Sequence, residues 1–346
     1  MKKFSFLLFL VLLVFGSCKK KLDTITDEAV FVANEDGGTI SVINAKDYSV
    51  VREIKMKDGQ IFPLRNPRLM SHNIQVAPDQ KSVWVTGVPE DHGAKEQVVI
   101  IDPIKMKIKK RIKFEEHMHL AHVVLDDDSR YAYVTANSKG EVIRIRTEDY
   151  NEVQRFYLGE GYEPHGLRYF QGKLYVANMG AKSLSIINVN FNRIQEVKLF
   201  GIAVQVAVSP DGSYVYVSLY DKKQVARVDL KDYTVKMIDL PSSAKGPIQL
   251  YVTPDSKFVY VCDQGGILGQ EASDKVYVID AGTASVVNTI TTGSKAHGIV
   301  IDDRAEKAYI TNSGDNTVSV IDLASRTVIS TISVNKAPNG ISYWKK

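Results

Sequence analysis

Tyr309-Ile310-Thr311-Asn312, followed closely by Asn316-Thr317-Val318-Ser319-Val320-Ile321-Asp322, is the clearest copy of a pattern that recurs along this 346-residue chain. Six further copies of its first part are Phe31-Val32-Ala33-Asn34, Trp84-Val85-Thr86-Gly87, Tyr133-Val134-Thr135-Ala136, Tyr175-Val176-Ala177-Asn178, Tyr216-Val217-Ser218-Leu219 and Tyr260-Val261-Cys262-Asp263. Each is an aromatic and β-branched run, the composition that suits a half-buried strand. A second apolar run follows each copy, as in Ile40–Ile43 or Val225–Val228, and most of these end in Asp or Asn, which start turns. A third follows, as in Val50–Ile54 or Val286–Ile290. A fourth precedes the aromatic strand, as Val206–Val208 does ahead of the turn Ser209-Pro210-Asp211-Gly212. Four short strands per repeat of about 40–50 residues predict a seven-bladed β-propeller with four antiparallel strands per blade, all β.

The ends fit a closed ring. No innermost strand precedes Phe31, while an extra one, Asn339-Gly340-Ile341-Ser342-Tyr343, follows the last repeat. The C-terminal strand is therefore expected to complete the first blade, which would protect the edges that an open sheet exposes. On these strands the chain resembles the YVTN-repeat seven-bladed propellers, the group of surface-layer and YncE-like extracytoplasmic proteins, and more distantly the cytochrome d1-type haem propellers. The resemblance spans roughly residues 29–344 and implies the architecture. Propellers host binding, catalysis and scaffolding alike, so activity has to be argued from the site.

The N-terminus reads as a targeting device. Met1-Lys2-Lys3 is a charged start, Phe4–Phe15 an apolar run too short for a comfortable membrane span, and Gly16-Ser17-Cys18 supplies small residues and a cysteine. This resembles a bacterial lipoprotein signal, with 1–17 removed, Cys18 lipidated, 18–28 a tether and 29–346 the propeller. A plain secretory signal is the alternative. Anchoring in the bacterial cell envelope follows as an expectation, on the periplasmic or surface side of an outer membrane. With Cys18 lipidated, Cys262 would be the remaining cysteine, so no intrachain disulfide is expected. The formal net charge of +4, from 44 Lys and Arg against 40 Asp and Glu, lacks the excess of a nucleic-acid footprint. The expected partners are the membrane, through the anchor, and an unknown small ligand or envelope protein. The propeller itself is expected to be a monomer.

Propeller topology places the connections between blades, and those between a blade's second and third strands, on one face. The connections expected on the other face are short, such as Pro78-Asp79-Gln80 and Pro254-Asp255-Ser256. Excess length gathers on the first: Asp58–Ser71, Gly87–Gln97, Phe114–Ala121 and Asp263–Lys275. Loops carried on a rigid scaffold are where binding usually resides. All seven histidines map to this face: His92, His117 and His119 in loops, and His72, His122, His165 and His297 at the start of innermost strands, where the other blades carry Val204, Ile248 and Asn339.

Candidate ligand-binding residues are therefore His72, His119, His122, His165, His297 and Asn339. The side chains admit three readings. They can plug the channel mouth or contact a ligand as polar groups. They can hold a metal or haem, with His72, His122, His165 and His297 as ligands and Met70, Met118 and Met179 as nearby thioethers, which would favour copper or an axial haem contact. Resemblance to haem-d1 propellers and to the histidine-lined copper propeller of nitrous-oxide reductase points toward that second reading. Thirdly, one can act as a general base, since lactonase-type propellers share the blade pattern; Glu160, Glu163, Asp263 and Glu271 are the carboxylates that could assist His165 or His297. The chain lacks a Gly-x-Ser-x-Gly elbow, a His-Glu-x-x-His motif and a Cys-x-x-Cys-His haem attachment. A lipid-anchored binding or scaffold propeller is the leading expectation, with metal or haem binding and lactone hydrolysis as alternatives.

Overall fold

The computed structural model describes residues 27–57, 68–91 and 94–346. The expected signal, Cys18 and most of its tether, His92, and most of the loop 58–71 lie outside the described residues. Seven four-stranded antiparallel sheets make up the fold, with one 3-10 turn at Asn137–Lys139 as the helical element among the described residues. The strand Pro338–Lys345 pairs with Glu28–Asn34 as the innermost strand of the first blade, with Phe31 opposite Ser342. Closure therefore uses one strand from the C-terminal end of the chain and three from the N-terminal part, as the repeat predicts. The joint is reinforced by Trp344, whose Nε1 donates to the Gln80 carbonyl at 2.8 Å, and by a forked Arg304–Glu28 pair at 2.6 and 2.9 Å.

The core lies between blades rather than inside any one of them. One cluster joins Phe31 and Val42 of the first blade to Ile74 and Val85 of the second, and equivalent clusters continue round the ring. Each repeat places a large ring in such a seam: Phe31, Trp84, Tyr133, Tyr175, Tyr216, Tyr260 and Tyr309 are all buried. Removing one such ring is worth about 3–5 kcal/mol, through lost transfer energy and the cavity left behind.

The polar residues of the repeat have separate tasks. Asn34, Asn178 and Asn312 each donate through Nδ2 to two hydroxyls of the next strand, fixing the hairpin on the long-loop face. The hydroxyl at the third position works on the innermost strand. Thr86 accepts from Asn73 N–H and donates to the Ala121 carbonyl of the next blade; Thr135 accepts from His122 N–H and donates to the His165 carbonyl; Thr311 accepts from Gly298 N–H and donates to the Asn339 carbonyl. The donor and acceptor so held belong to a bulge, where two residues of the innermost strand face one of its neighbour. Cys262 takes the same position with only a weak Sγ contact to the Gly298 carbonyl, and burial pushes its thiol pKa up, in keeping with a packing residue.

This register corrects one sequence expectation. His72, His165 and His297 share one position with Val204, Ile248 and Asn339, as expected, and each is the first residue of a bulge. In the third blade, however, Leu120 pairs with Ala136 and Val123 with Val134, so Ala121 is the first bulge residue and His122 the second. His122 thus sits one step deeper, level with Asn73, Gln205 and Gln249. Glycine is required at three other places in this tier: a Cβ on Gly166 would lie 2.6 Å from the Val204 carbonyl, one on Gly298 2.2 Å from the Asn339 carbonyl, and one on Gly340 2.9 Å from Asn73 Cα.

Candidate functional site at the histidine mouth

A cavity of about 590 Å³ opens at the start of the innermost strands. One arc is polar, with Glu35, His72, His165, His297, Lys295 and Asn339; the opposite arc is apolar, with Ile202, Val204, Tyr220, Ile248, Ile267 and Leu268. The apolar arc falls on the two blades that carry the large aliphatic residues Val204 and Ile248 at the first bulge position, where the third blade carries Ala121 and the other four carry His or Asn.

Three imidazoles converge beneath the polar arc. His72 Nε2 and His165 Nε2 are 3.3 Å apart, and the ring centroids of His122 and His165 are 4.7 Å apart. One ligand nitrogen from each of His72, His122 and His165 lies within 4.8 Å of the other two. Each ring is held from behind. His72 Nδ1 lies 2.9 Å from Glu35 Oε1, and Glu35 Oε2 accepts from Asn339 Nδ2 at 2.6 Å. His165 Nδ1 donates to the Val204 carbonyl at 3.0 Å. Both bonds place a hydrogen on Nδ1 and direct Nε2 into the group, the tautomer that metal-ligating histidines adopt. Gln205 Oε1 accepts from Val206 N–H, so its Nε2 donates to His122 Nδ1 at 3.2 Å. A cation on His122 therefore requires the Gln205 side chain to turn.

The charges follow from this arrangement. Burial opposes charge on Glu35, but the attraction and hydrogen bond of His72 and the bond from Asn339 outweigh it and hold its pKa at about 2. Burial likewise opposes a proton on His72, and Glu35 outweighs it, so His72 holds its proton more tightly than a free imidazole. Burial first, then repulsion by His72, pulls His165 down to about 3 and His297 to about 4; burial and the neighbouring His165 and His72 leave His122 far below its ordinary value. Of these imidazoles His72 is the one favoured to take up a proton, and when it does its Nε2–H points at the lone pair of His165.

His297 stands apart. Its Nδ1 bonds Gln264 Oε1, and its buried Nε2 has no protein partner among the described residues, like Asn339 Oδ1 and Gln249 Nε2. His119 is exposed with a left-handed backbone, and neither it nor the exposed His117 lines the cavity; Glu96 holds their loop by accepting from the N–H groups of Met118, His119 and Leu120. Met118 is buried in an inter-blade cluster, and Met179 is the thioether that reaches the cavity. Among the expected carboxylates, Glu163 lines the cavity, Asp263 is buried accepting from Lys245 and Gly246 N–H, Glu271 pairs with Lys245 in solvent, and Glu160 is exposed.

Sequence reasoning missed Glu35, Gln205, Gln264 and Lys295. Glu35 directly follows Asn34 of the repeat, in the hairpin that the fold directs to the mouth; that position was its only signal.

Residues 22–284 match the family model described as Lactonase, 7-bladed beta-propeller. A search of curated sequences returns no match. Solved structures similar in fold include hydrazine synthase of Kuenenia stuttgartiensis, at 16% identity and TM-score 0.70, covering 86% of this chain and 92% of that one. Virginiamycin B lyase from Staphylococcus aureus is similar at 15% identity and TM-score 0.65, covering 78% and 87%. Apo AztD from Citrobacter koseri is similar at 13% identity and TM-score 0.66, covering 93% and 98%. At these identities the likeness is one of fold.

Proposed function

The chain belongs to the lactonase seven-bladed β-propeller family, and from that premise we propose that it binds its ligand at the histidine mouth, around a divalent transition-metal ion held by His72, His122 and His165. The observation that carries this reading is the 3.3 Å between the Nε2 atoms of His72 and His165, each ring locked through Nδ1. Two nitrogens on one tetrahedral zinc, each about 2.0–2.1 Å from the metal, lie about 3.3–3.4 Å apart. The same spacing is too short for a porphyrin plane to pass between the two rings, which disfavours a haem shared by this pair. Three imidazoles and an open fourth position describe a site that exchanges ligands rather than a closed structural one. A metal there would displace any proton held between His72 and His165, so its affinity should fall as the pH falls.

Titration of the purified protein with zinc or copper(II), in competition with a chromophoric chelator, tests the reading. About one ion per chain is expected, with affinity reduced about 100-fold or more in His165→Ala and in His72→Ala. No uptake by the wild type, or equal uptake by both variants, would sink it.

Lactone or ester opening is a second reading, supported by the family and by a cavity with an apolar arc facing a Glu35–His72 pair. A bound ion would polarise the carbonyl or lower the pKa of a water there. A panel of lactones with no turnover, with or without metal, retires that reading and leaves ligand binding. Anchoring in the cell envelope through Cys18 remains a proposal of its own, resting on the N-terminal pattern. Retention of a Cys18→Ser protein in the membrane fraction would count against it.

A further inference from the structure

The opposite end of the channel carries a feature that its trimmed turns do not explain. A second cavity of about 400 Å³ opens there, lined by Arg168, Tyr251, Gln75, Phe170, Pro210 and Ile341 among others. Arg168 is partly buried on the channel strand Pro164–Phe170. Its Nη1 donates to the carbonyl of its own neighbour, Leu167, at 2.9 Å, and no carboxylate among the described residues pairs with it. Arg130, Arg146, Arg155 and Arg304 each pair with an acid. Burial lowers the Arg168 pKa, and the facing Tyr251 is the group that opposes this. A guanidinium drawn out of bulk water without a counterion is costly, and it presents a planar fork of unused donors.

We propose that this end of the channel is a binding site for a small organic carboxylate, received by the Arg168 guanidinium. The two oxygens of a carboxylate match the guanidinium fork, with Tyr251 and Gln75 on the same cavity wall as further donors. Phe170, Pro210, Ala207, Val208, Ile299 and Ile341 leave much of the wall apolar, which suits the carbon skeleton of such a ligand better than a bare inorganic ion. The site stands on different residues from the histidine mouth, on the other face, and does not depend on that reading.

Calorimetric or NMR titration of the purified protein with benzoate, acetate and inorganic phosphate decides it. Saturable benzoate binding is expected in the millimolar range or tighter, stronger than acetate or phosphate, and about ten-fold or more weaker in Arg168→Gln, with Arg168→Lys between them. No saturable benzoate binding by the wild type, equal binding by Arg168→Gln, or preference for phosphate would each overturn the assignment. Should Arg168→Gln fail to fold, Tyr251→Phe decides instead: about a three-fold loss or more sustains the site, and unchanged affinity overturns it.

Discussion

The starts of the innermost strands carry His72, His122, His165, His297 and Asn339, with connections on the same face that bring Glu35, Gln264 and Lys295 to the cavity. Further along the same strands, Arg168, Tyr251 and Gln75 face a smaller recess closed by minimal turns such as Ser209-Pro210-Asp211-Gly212. Identical backbone geometry thus presents lone pairs at one end and unpaired donors at the other. The difference lies in what each end leaves unsatisfied. Acceptors converging at the mouth suit a cation, and a guanidinium without a counterion suits an anion. The scaffold contributes rigidity to both and chooses between them at neither.

That contrast can be broken at several levels. Loss of closure should remove both ends together: Trp344→Ala is expected to destabilise the fold by about 3–5 kcal/mol, read as a lowered melting temperature, with zinc and benzoate binding failing at the same temperature. A variant that melts early at one end alone would show that the ring is not one cooperative unit. Next in size, His165→Ala should weaken metal binding about 100-fold or more while leaving benzoate binding within about two-fold, since well-separated sites behave nearly additively. Coupled loss would dissolve the distinction between the two ends.

Smaller effects sharpen it. Thr135→Val keeps the shape but removes the hydroxyl that ties the His122 bulge to the His165 carbonyl. It should cost about 1–3 kcal/mol and weaken metal binding, measured by chemical unfolding and chelator competition. Glu35→Gln frees His72 from its carboxylate and should lower metal affinity about 10–100-fold with little change at the Arg168 end. The smallest effect concerns the seam. Pairing with Arg304 holds the Glu28 pKa below the usual carboxylate range, so this pair contributes stability above the unfolded-state pKa of about 4.3, lost as the pH falls toward the folded value. In Glu28→Gln the melting temperature should fall less steeply on acidification through that window than in the wild type; an identical slope would show that the pair contributes nothing.

Much of the fold was legible because the strand period and the turn residues are local properties. A run such as Tyr309-Ile310-Thr311-Asn312 marks a strand without knowledge of its neighbours, and counting its degraded copies gives the blades. The mouth was legible as a face for the same reason: topology alternates the connections, so loop length and histidine sort themselves. The His122 offset was not legible, because a bulge is defined by the partner strand, and Leu120 opposite Ala136 is a pairing that no local pattern encodes. Arg168 was passed over because an arginine on a strand is unremarkable until its surroundings are seen to lack an acid.

The amino-acid sequence by itself determined seven blades, closure by the C-terminal strand and the gathering of histidines on one face. These depend on periodicity and chain direction, which survive any rearrangement of side chains. Only the tertiary structure decided that three of those histidines converge, that Glu35 and the Val204 carbonyl orient His72 and His165, and that Arg168 faces the channel without a counterion among the described residues. Such relations join residues from different blades, and it is ring closure that fixes the distances between them.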